Sequence, residues 1–266
     1  MSLLSIIIPV LNDARIIDAV NSIEKDNLTE IIVVDGKSDE SILETIRNND
    51  KVDILVSEYD TGFYDAINKG IDLANGKWIF ILAADDILLV NLPDIINKYD
   101  DGECDMICGG VIEQLEDNKY RINYPSKKLT NLKYYTSIRH PATIFRKESY
   151  MKYGKYDSNY KCAGDRELFL RFYNNGAKFN FINEYLALFS FGGMSTQRPL
   201  YWYVKEDLAI SDKYKTNKIK SRALIIKYLI ISWAHKLKDI LNLEHKMKIY
   251  SKEEIENMMA SGKYMD

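Results

Sequence analysis

Residues 74–86 read Ala-Asn-Gly-Lys-Trp-Ile-Phe-Ile-Leu-Ala-Ala-Asp-Asp, and they decide the fold class. Trp78 to Ala83 is an unbroken apolar run, the signature of a strand buried on both faces. It leads directly into Asp85-Asp86, so two carboxylates emerge where a buried strand ends. Just upstream, residues 62–75 place Phe63, Ile67, Gly70, Ile71 and Ala74 on one side of a helix. Gly70 and Ala74 are small enough to bring that helix close to a sheet, and Gly76 is expected to end it as a C′ glycine.

The same alternation extends toward the N-terminus. Leu4 to Val10 reads as a first buried strand, followed by Asn12-Asp13. Asp13 is expected to cap a helix lined by Ile16, Ile17, Val20 and Ile23. Ile31 to Val34 gives a second strand that stops at Asp35-Gly36, residues 38–49 a helix, and Ile54 to Val56 a third strand. Strands and helices in this order predict an α/β fold with a mainly parallel sheet flanked by helices. Beyond Cys104 come strand-like runs at 105–114, 142–145 and 178–191, with helical segments at 129–137 and 165–175. No Pro/Gly/Ser linker intervenes, so these predict a second lobe on the same sheet. After Pro199 the chain reads as helices over 201–214, 221–243 and 252–260.

Composition narrows the function classes. The 266 residues carry a net charge of -3, so no global basic field invites nucleic acid, which is not expected as a partner. Cys104, Cys108 and Cys162 form an odd set without a CxxC pair, as in a reduced, cytosolic protein. Cys104 and Cys108 are read as core packing. The N-terminus has no basic n-region, and the apolar run 223–234 is broken by Lys227 and too short to span a bilayer. A cytoplasmic location is expected.

In an open parallel sheet, ligands bind in the crevice beyond the carboxyl ends of the strands. Asn12-Asp13, Asp35 and Asp85-Asp86 lie at three such ends. Each acid taken singly is better explained as a helix cap or a solvated turn. Three on one sheet point instead to a site, and carboxylates there suit Mg2+ or Mn2+ bridging diphosphate oxygens. Neither GxGxxG nor GxxxxGK[ST] follows the first strand, which argues against dehydrogenases and P-loop enzymes.

Ser5-Ile6-Ile7-Ile8-Pro9-Val10, Ile32-Val33-Val34-Asp35-Gly36 and Asp60-Thr61-Gly62-Phe63-Tyr64-Asp65-Ala66-Ile67-Asn68-Lys69-Gly70 resemble family-two glycosyltransferases with the GT-A fold. The 74–86 stretch is similar to that family's AxGxxIxFLxxDD signature, and the closest look-alikes are bacterial enzymes assembling capsule, O-antigen or other exopolysaccharide. The resemblance implies that Pro9, Val10 and Asp35 line the nucleotide pocket, that Lys69 and Asp85 lie on the donor side, and that Asp86 binds Mn2+ or Mg2+. Ala163-Gly164-Asp165-Arg166-Glu167 resembles the segment carrying the catalytic base, which makes Asp165 the base; the acid that usually precedes it is Gly164 here. Arg139-His140-Pro141-Ala142-Thr143 resembles the acceptor-side strand entry, and Gly192-Gly193-Met194-Ser195 a loop near the donor diphosphate, making His140 and Ser195 further candidates.

The implied organisation is a catalytic unit over 1–200, with a nucleotide-sugar half (1–110) and an acceptor half (111–200), then a helical tail over 201–266. The implied reaction moves a sugar, with inversion, from a UDP-sugar or related donor to a glycan or lipid-linked glycan. Taken without the resemblance, Asp165 reads as a helix N-cap and His140 equally as a structural residue. The tail has eleven Lys/Arg against three acids between Ser211 and Lys252, interleaved with Leu224, Ile225, Tyr228 and Trp233. Such a segment suits an anionic membrane surface on the inner face of the cell membrane, or packing on this lobe or in a homodimer. A nucleotidyltransferase and a scaffold that has lost turnover are the competing readings; the first lacks its glycine- and arginine-rich loop, and only Gly164 favours the second.

Overall fold

The computed structural model describes residues 2–193, 199–217, 219 and 249–261. The first half runs β1 (Leu4–Val10), α1 (Ile16–Asn21), β2 (Thr29–Asp35), α2 (Glu40–Arg47), β3 (Ile54–Ser57), α3 (Phe63–Leu73) and β4 (Trp78–Ile81). The second runs β5 (Ile87–Leu88), α4 (Leu92–Tyr99), β6 (Met106–Gln114), β7 (Tyr120–Asn123), β8 (Thr143–Arg146), α5 (Lys147–Tyr153), α6 (Gly164–Asn174) and β9 (Phe179–Phe189). Then follow α7 (Leu200–Lys213) and α8 (Lys252–Ser261). The nine strands of the described residues share one sheet in the order β3-β2-β1-β4-β8-β6-β9-β5, with β7 paired to β6. Pairing is wholly parallel from β3 to β4, as expected, and β6 pairs β9 in parallel. Strands β8, β7 and β5 join antiparallel, so the second lobe makes the sheet mixed.

The continuous apolar run of β4 is explained by burial on both faces. Trp78, Phe80 and Leu82 pack with α1 and α4, while Ile79 and Ile81 pack with α3 and α6. Each such side chain contributes roughly 1.5–3 kcal/mol of burial, so a strand without polar alternation is stable only in this sandwiched place. A Cβ on Gly70 would sit 2.3 Å from Ile7 Cγ2, so α3 lies against β1 as closely as its small residues suggest. Gly76 departs from its expected role: α3 ends at Leu73 with Ala74 extended, and Gly76 is not left-handed. Its missing side chain serves close passage instead, since a Cβ there would meet Ser5 N at 2.5 Å.

Two other expectations change. Residues 129–137 hold only a 3-10 turn, Leu129–Lys133. Tyr134-Tyr135-Thr136 are poor helix formers, and the chain turns back so that Ser126 N donates to Ser137 O at 2.8 Å. Asp13 does not cap α1, because its carboxylate is taken by the backbone N–H and guanidinium of Arg15. The expected helix over 221–243 lies outside the described residues. The tail's described parts pack on the catalytic unit. Ile210 of α7 enters the α3/α6 core, and Ile255 of α8 joins Tyr120 and Tyr185 while Tyr250 bridges Tyr120. No helix of the described residues is long and apolar enough to cross a membrane.

Candidate active site

The crevice opens where β1 and β4 part. Their pairing ends at Ile7 and Ile81, with one further bond from Leu82 N to Ile7 O. Strand order reverses there, since β2 and β3 lie on one side of β1 and β4 on the other, the topological switch point at which open α/β sheets bind ligands. Pro9, with no N–H to pair, stands beyond the last β1–β4 contact, and Val10 beside Asp35 of β2.

Asp86 stands at the β4 rim, 1% exposed. Its Oδ1 accepts a hydrogen bond from Ser190 N at 3.0 Å, while Oδ2 is buried with no partner among the described residues. Burial, and then the neighbouring Asp85, push its carboxyl well above the usual range; the Ser190 N–H and Arg15 oppose this less strongly. Asp85 is raised by burial and held down by Arg15, whose guanidinium lies 3.7 Å from it and 2.5 Å from Asp13. Gly193 covers Asp85 so closely that a Cβ there would fall 1.9 Å from Oδ2. An unpartnered buried carboxylate oxygen beside a second carboxylate is a donor set that a hard divalent cation satisfies, and such a cation reverses the cost of ionising both.

Asp35 is fully buried and already bonded. It accepts from Lys37 N and Ser38 N, each at 3.1 Å, and from Ser57 Oγ at 2.7 Å. Its carboxylate shapes the turn after β2. The more open acid on this side is Asp60, just past β3, which opens the 60–70 stretch and which the motifs alone do not single out. A Cβ on Gly36 would lie 2.7 Å from Asp60 Oδ2, so Gly36 keeps the space in front of that carboxylate clear. Exposed Tyr59 precedes Asp60 in the chain, and exposed Leu11 borders the same Gly36 position, 3.5 Å from where a Cβ would stand. The place of Asp60 beyond a strand end was the available signal. Lys69 reaches this loop, donating to Tyr59 O at 2.7 Å and pairing with Glu58 at 2.9 Å.

In the second lobe, Asp165 is the second residue of α6 and does not cap it; the cap position is Ala163, with no side-chain bond. Desolvation raises its carboxyl to about 6; backbone N–H groups hold it down, and Asp207 pushes the same way as desolvation. Tyr64 of α3 stands over the loop before it, its hydroxyl accepting from Asp165 N and donating to Cys162 O, both at 3.3 Å. His140 sits among Phe63, Phe145, Tyr156 and Phe169, with Nε2 2.8 Å from Tyr156 Oη. Burial lowers its pKa to about 4, so the ring is neutral near pH 7. Ser195 lies outside the described residues.

Asp100, Asp101 and Cys104 also bring ligand-type atoms within 4.8 Å of one another. They lie at the other end of β4, where Asp100 pairs with Lys77 and Arg146, and Asp101 accepts from Glu103 N and Cys104 N. Those partners account for the cluster without a metal. Cys104 and Cys108 are buried in different cores, consistent with packing roles.

The sheet thus carries a strand-order switch point with an acidic rim at β4, and the second lobe carries a desolvated carboxylate, Asp165. The Glycosyl transferase family 2 model matches residues 5–159, so the chain belongs to that family, has the GT-A fold and is a glycosyltransferase. A PGL/p-HBAD biosynthesis glycosyltransferase of Mycobacterium bovis is 28% identical over 252 residues, covering 86% of this chain and 96% of the relative. Among solved structures, Staphylococcus aureus TarS 1-349 in complex with UDP-GlcNAc superposes with a TM-score of 0.59 at 15% identity, over 79% of this chain and 66% of that one. The Pyrobaculum calidifontis mannosyltransferase PcManGT, in complex with GDP-Man and Mn2+, gives 0.57 at 14%, over 81% and 65%. This chain thus spans just under two thirds of either solved chain, and at such identities the likeness shows the fold.

Proposed function

We propose that the protein transfers a sugar, with inversion, from a nucleotide-diphosphate sugar, preferably a UDP-sugar, to a hydroxyl of a glycan or lipid-linked glycan in cell-surface polysaccharide or glycolipid synthesis. The observation that carries this reading is the buried Asp86 carboxylate at the switch point, with one oxygen unpartnered and Asp85 beside it. The UDP-GlcNAc complex of TarS and the glycolipid-type name of the mycobacterial relative support the donor and acceptor classes. The Mn2+ in the mannosyltransferase complex supports Mn2+ or Mg2+ as the cofactor.

Asp86 and Asp85 would hold the cation, which supplies charge stabilisation for the departing nucleoside diphosphate. Asp13 and Arg15 frame the same rim. The 1–110 half, with Pro9, Val10, Asp35 and the Asp60 pocket that Lys69 supports, receives the nucleotide, and 111–200 the acceptor. Asp165 accepts the proton of the acceptor hydroxyl as its oxygen bonds to the anomeric carbon and the bond from that carbon to the diphosphate breaks. A carboxylate desolvated enough to titrate near 6 is poised for this work near neutral pH, an effect worth roughly 10²–10⁴-fold. A cytoplasmic enzyme touching the membrane through its basic tail fits a lipid-linked acceptor.

The test is a donor screen on purified protein with Mn2+, comparing UDP-, GDP- and dTDP-sugars. Metal-dependent release of one nucleoside diphosphate, lost in Asp86→Ala, is expected. Absence of both release and metal-dependent nucleotide binding would move the chain to the scaffold reading.

A further inference from the structure

The loop that delivers Asp165 is held from the tail. Glu206, on α7, is 7% exposed and directs its carboxylate at three consecutive backbone N–H groups. Oε1 accepts from Lys161 N at 2.7 Å, and Oε2 from Cys162 N and Ala163 N, both at 2.8 Å. These are the last amides before α6 begins. A carboxylate in such a concave set of N–H groups makes strong, charge-assisted bonds. Both oxygens are used, so the geometry fixes the direction of the chain as well as its position.

Further contacts brace the same segment. Asp207, the next residue of α7, bonds the fully buried Arg166 at 2.5 Å, and Arg166 in turn donates to Leu132 O and Lys133 O. Lys161 Nζ reaches the Thr61 carbonyl, fastening the loop to the start of α3. Asp165 thus lies two residues past a segment clamped between α3 and α7.

Resting on Asp165 as the base, we propose that Glu206 is a positioning residue for it, so that α7 takes part in holding the base in place. Glu206 acts through the backbone and touches no reacting atom. An amide in its place turns an NH2 toward at least one of the three N–H donors, which loosens the loop while conserving size. Displacing a reacting group by about 1 Å costs on the order of 10²-fold in rate.

The groups facing Asp165 are Tyr64 from α3, Arg139 before β8, Tyr156 after α5, Arg166 of α6 itself and Asp207 from α7. Desolvation is the largest cause of the raised Asp165 pKa, so a loosened loop that admits water lowers it.

The test compares full-length wild type, Glu206→Gln, Glu206→Asp and Asp165→Ala. Amide hydrogen exchange at Lys161, Cys162 and Ala163 and the carboxyl NMR titration of Asp165 are read first. Turnover with UDP-GlcNAc, UDP-glucose and GDP-mannose follows, alongside calorimetric binding of UDP with Mn2+. In Glu206→Gln, protection at the three amides is expected to fall at least tenfold and the Asp165 titration to move from about 6 toward the ordinary carboxylate range. Turnover should fall 10- to 100-fold with UDP affinity within twofold of wild type, and Glu206→Asp should recover part of each change. Unchanged protection and titration in Glu206→Gln would overturn the proposal, as would a loss of UDP binding equal to the loss of rate, which marks general unfolding. Wild-type turnover in Asp165→Ala would instead refute the base assignment, whatever Glu206 does to the loop.

Discussion

The ring of Tyr64 occupies the place where a side chain on Gly164 would begin: a Cβ there would fall 2.6 Å from Tyr64 Cε2. Packing against Tyr64 therefore accounts for a glycine at the position before Asp165. Tyr64 is itself fixed by stacking on Tyr156 and by its two hydrogen bonds to the loop.

Restoring an acid, Gly164→Glu, should consequently harm the protein. Overpacking of this kind costs about 1–3 kcal/mol, and thermal unfolding should report a Tm several degrees lower with reduced turnover. A Tm equal to wild type would mean that the Tyr64 ring does not fill this space.

Gly193 makes an analogous demand on the donor side. A methyl group in Gly193→Ala collides with Asp85 Oδ2, at 1.9 Å, and must displace either the carboxylate or the loop that carries Ser190. Metal-dependent UDP binding should weaken at least tenfold while the unfolding midpoint moves little. Calorimetry at fixed Mn2+ checks this, and unaltered affinity would remove Gly193 from the site.

The pH dependence follows from Asp165. A base must be unprotonated, so transfer should fall as pH drops through about 6 and level off above it. The linked stability effect has the opposite sense to that of a paired carboxylate. Because the folded-state pKa is raised, the charged form is disfavoured by the fold; the penalty is absent below the unfolded-state value and full above the folded one. Asp165→Asn should therefore be inactive and, at pH 7 to 8, more stable than wild type by on the order of 1 kcal/mol. Urea unfolding at pH 4 and pH 8 tests it: a gain confined to pH 4 would contradict the assigned desolvation.

Much of this site could be read directly from the chain, for identifiable reasons. The β4 run announces its double burial through apolar continuity, and strand ends place Asp35, Asp85 and Asp86 without any knowledge of contacts. Gly70 could be read because a small residue on an apolar helix face marks a close backbone approach. What stayed hidden depends on distant partners. Tyr64 and Gly164 are a hundred residues apart, and nothing local to either predicts the pair. Glu206 looks like one more surface acid on a helix until the loop at 161–163 is folded against it. Strand β5 has only two residues, too few for any periodicity. Helix α4 does carry a local start signal, although a short one: Asn91 caps it by accepting from Asp94 N, with Pro93 in the first turn. The surroundings of His140 could not be read from sequence, because its four aromatic neighbours come from separate segments.

The most direct measurement is donor turnover and UDP affinity for wild type and Asp86→Ala, each with Mn2+ and with chelator. Asp86 has a buried oxygen without a partner among the described residues, so wild type should release nucleoside diphosphate only with metal. Asp86→Ala should lose turnover and the metal-dependent part of UDP binding while remaining folded. Turnover that is indifferent to chelator and survives Asp86→Ala would contradict the assignment of the β4 rim as the metal and donor site.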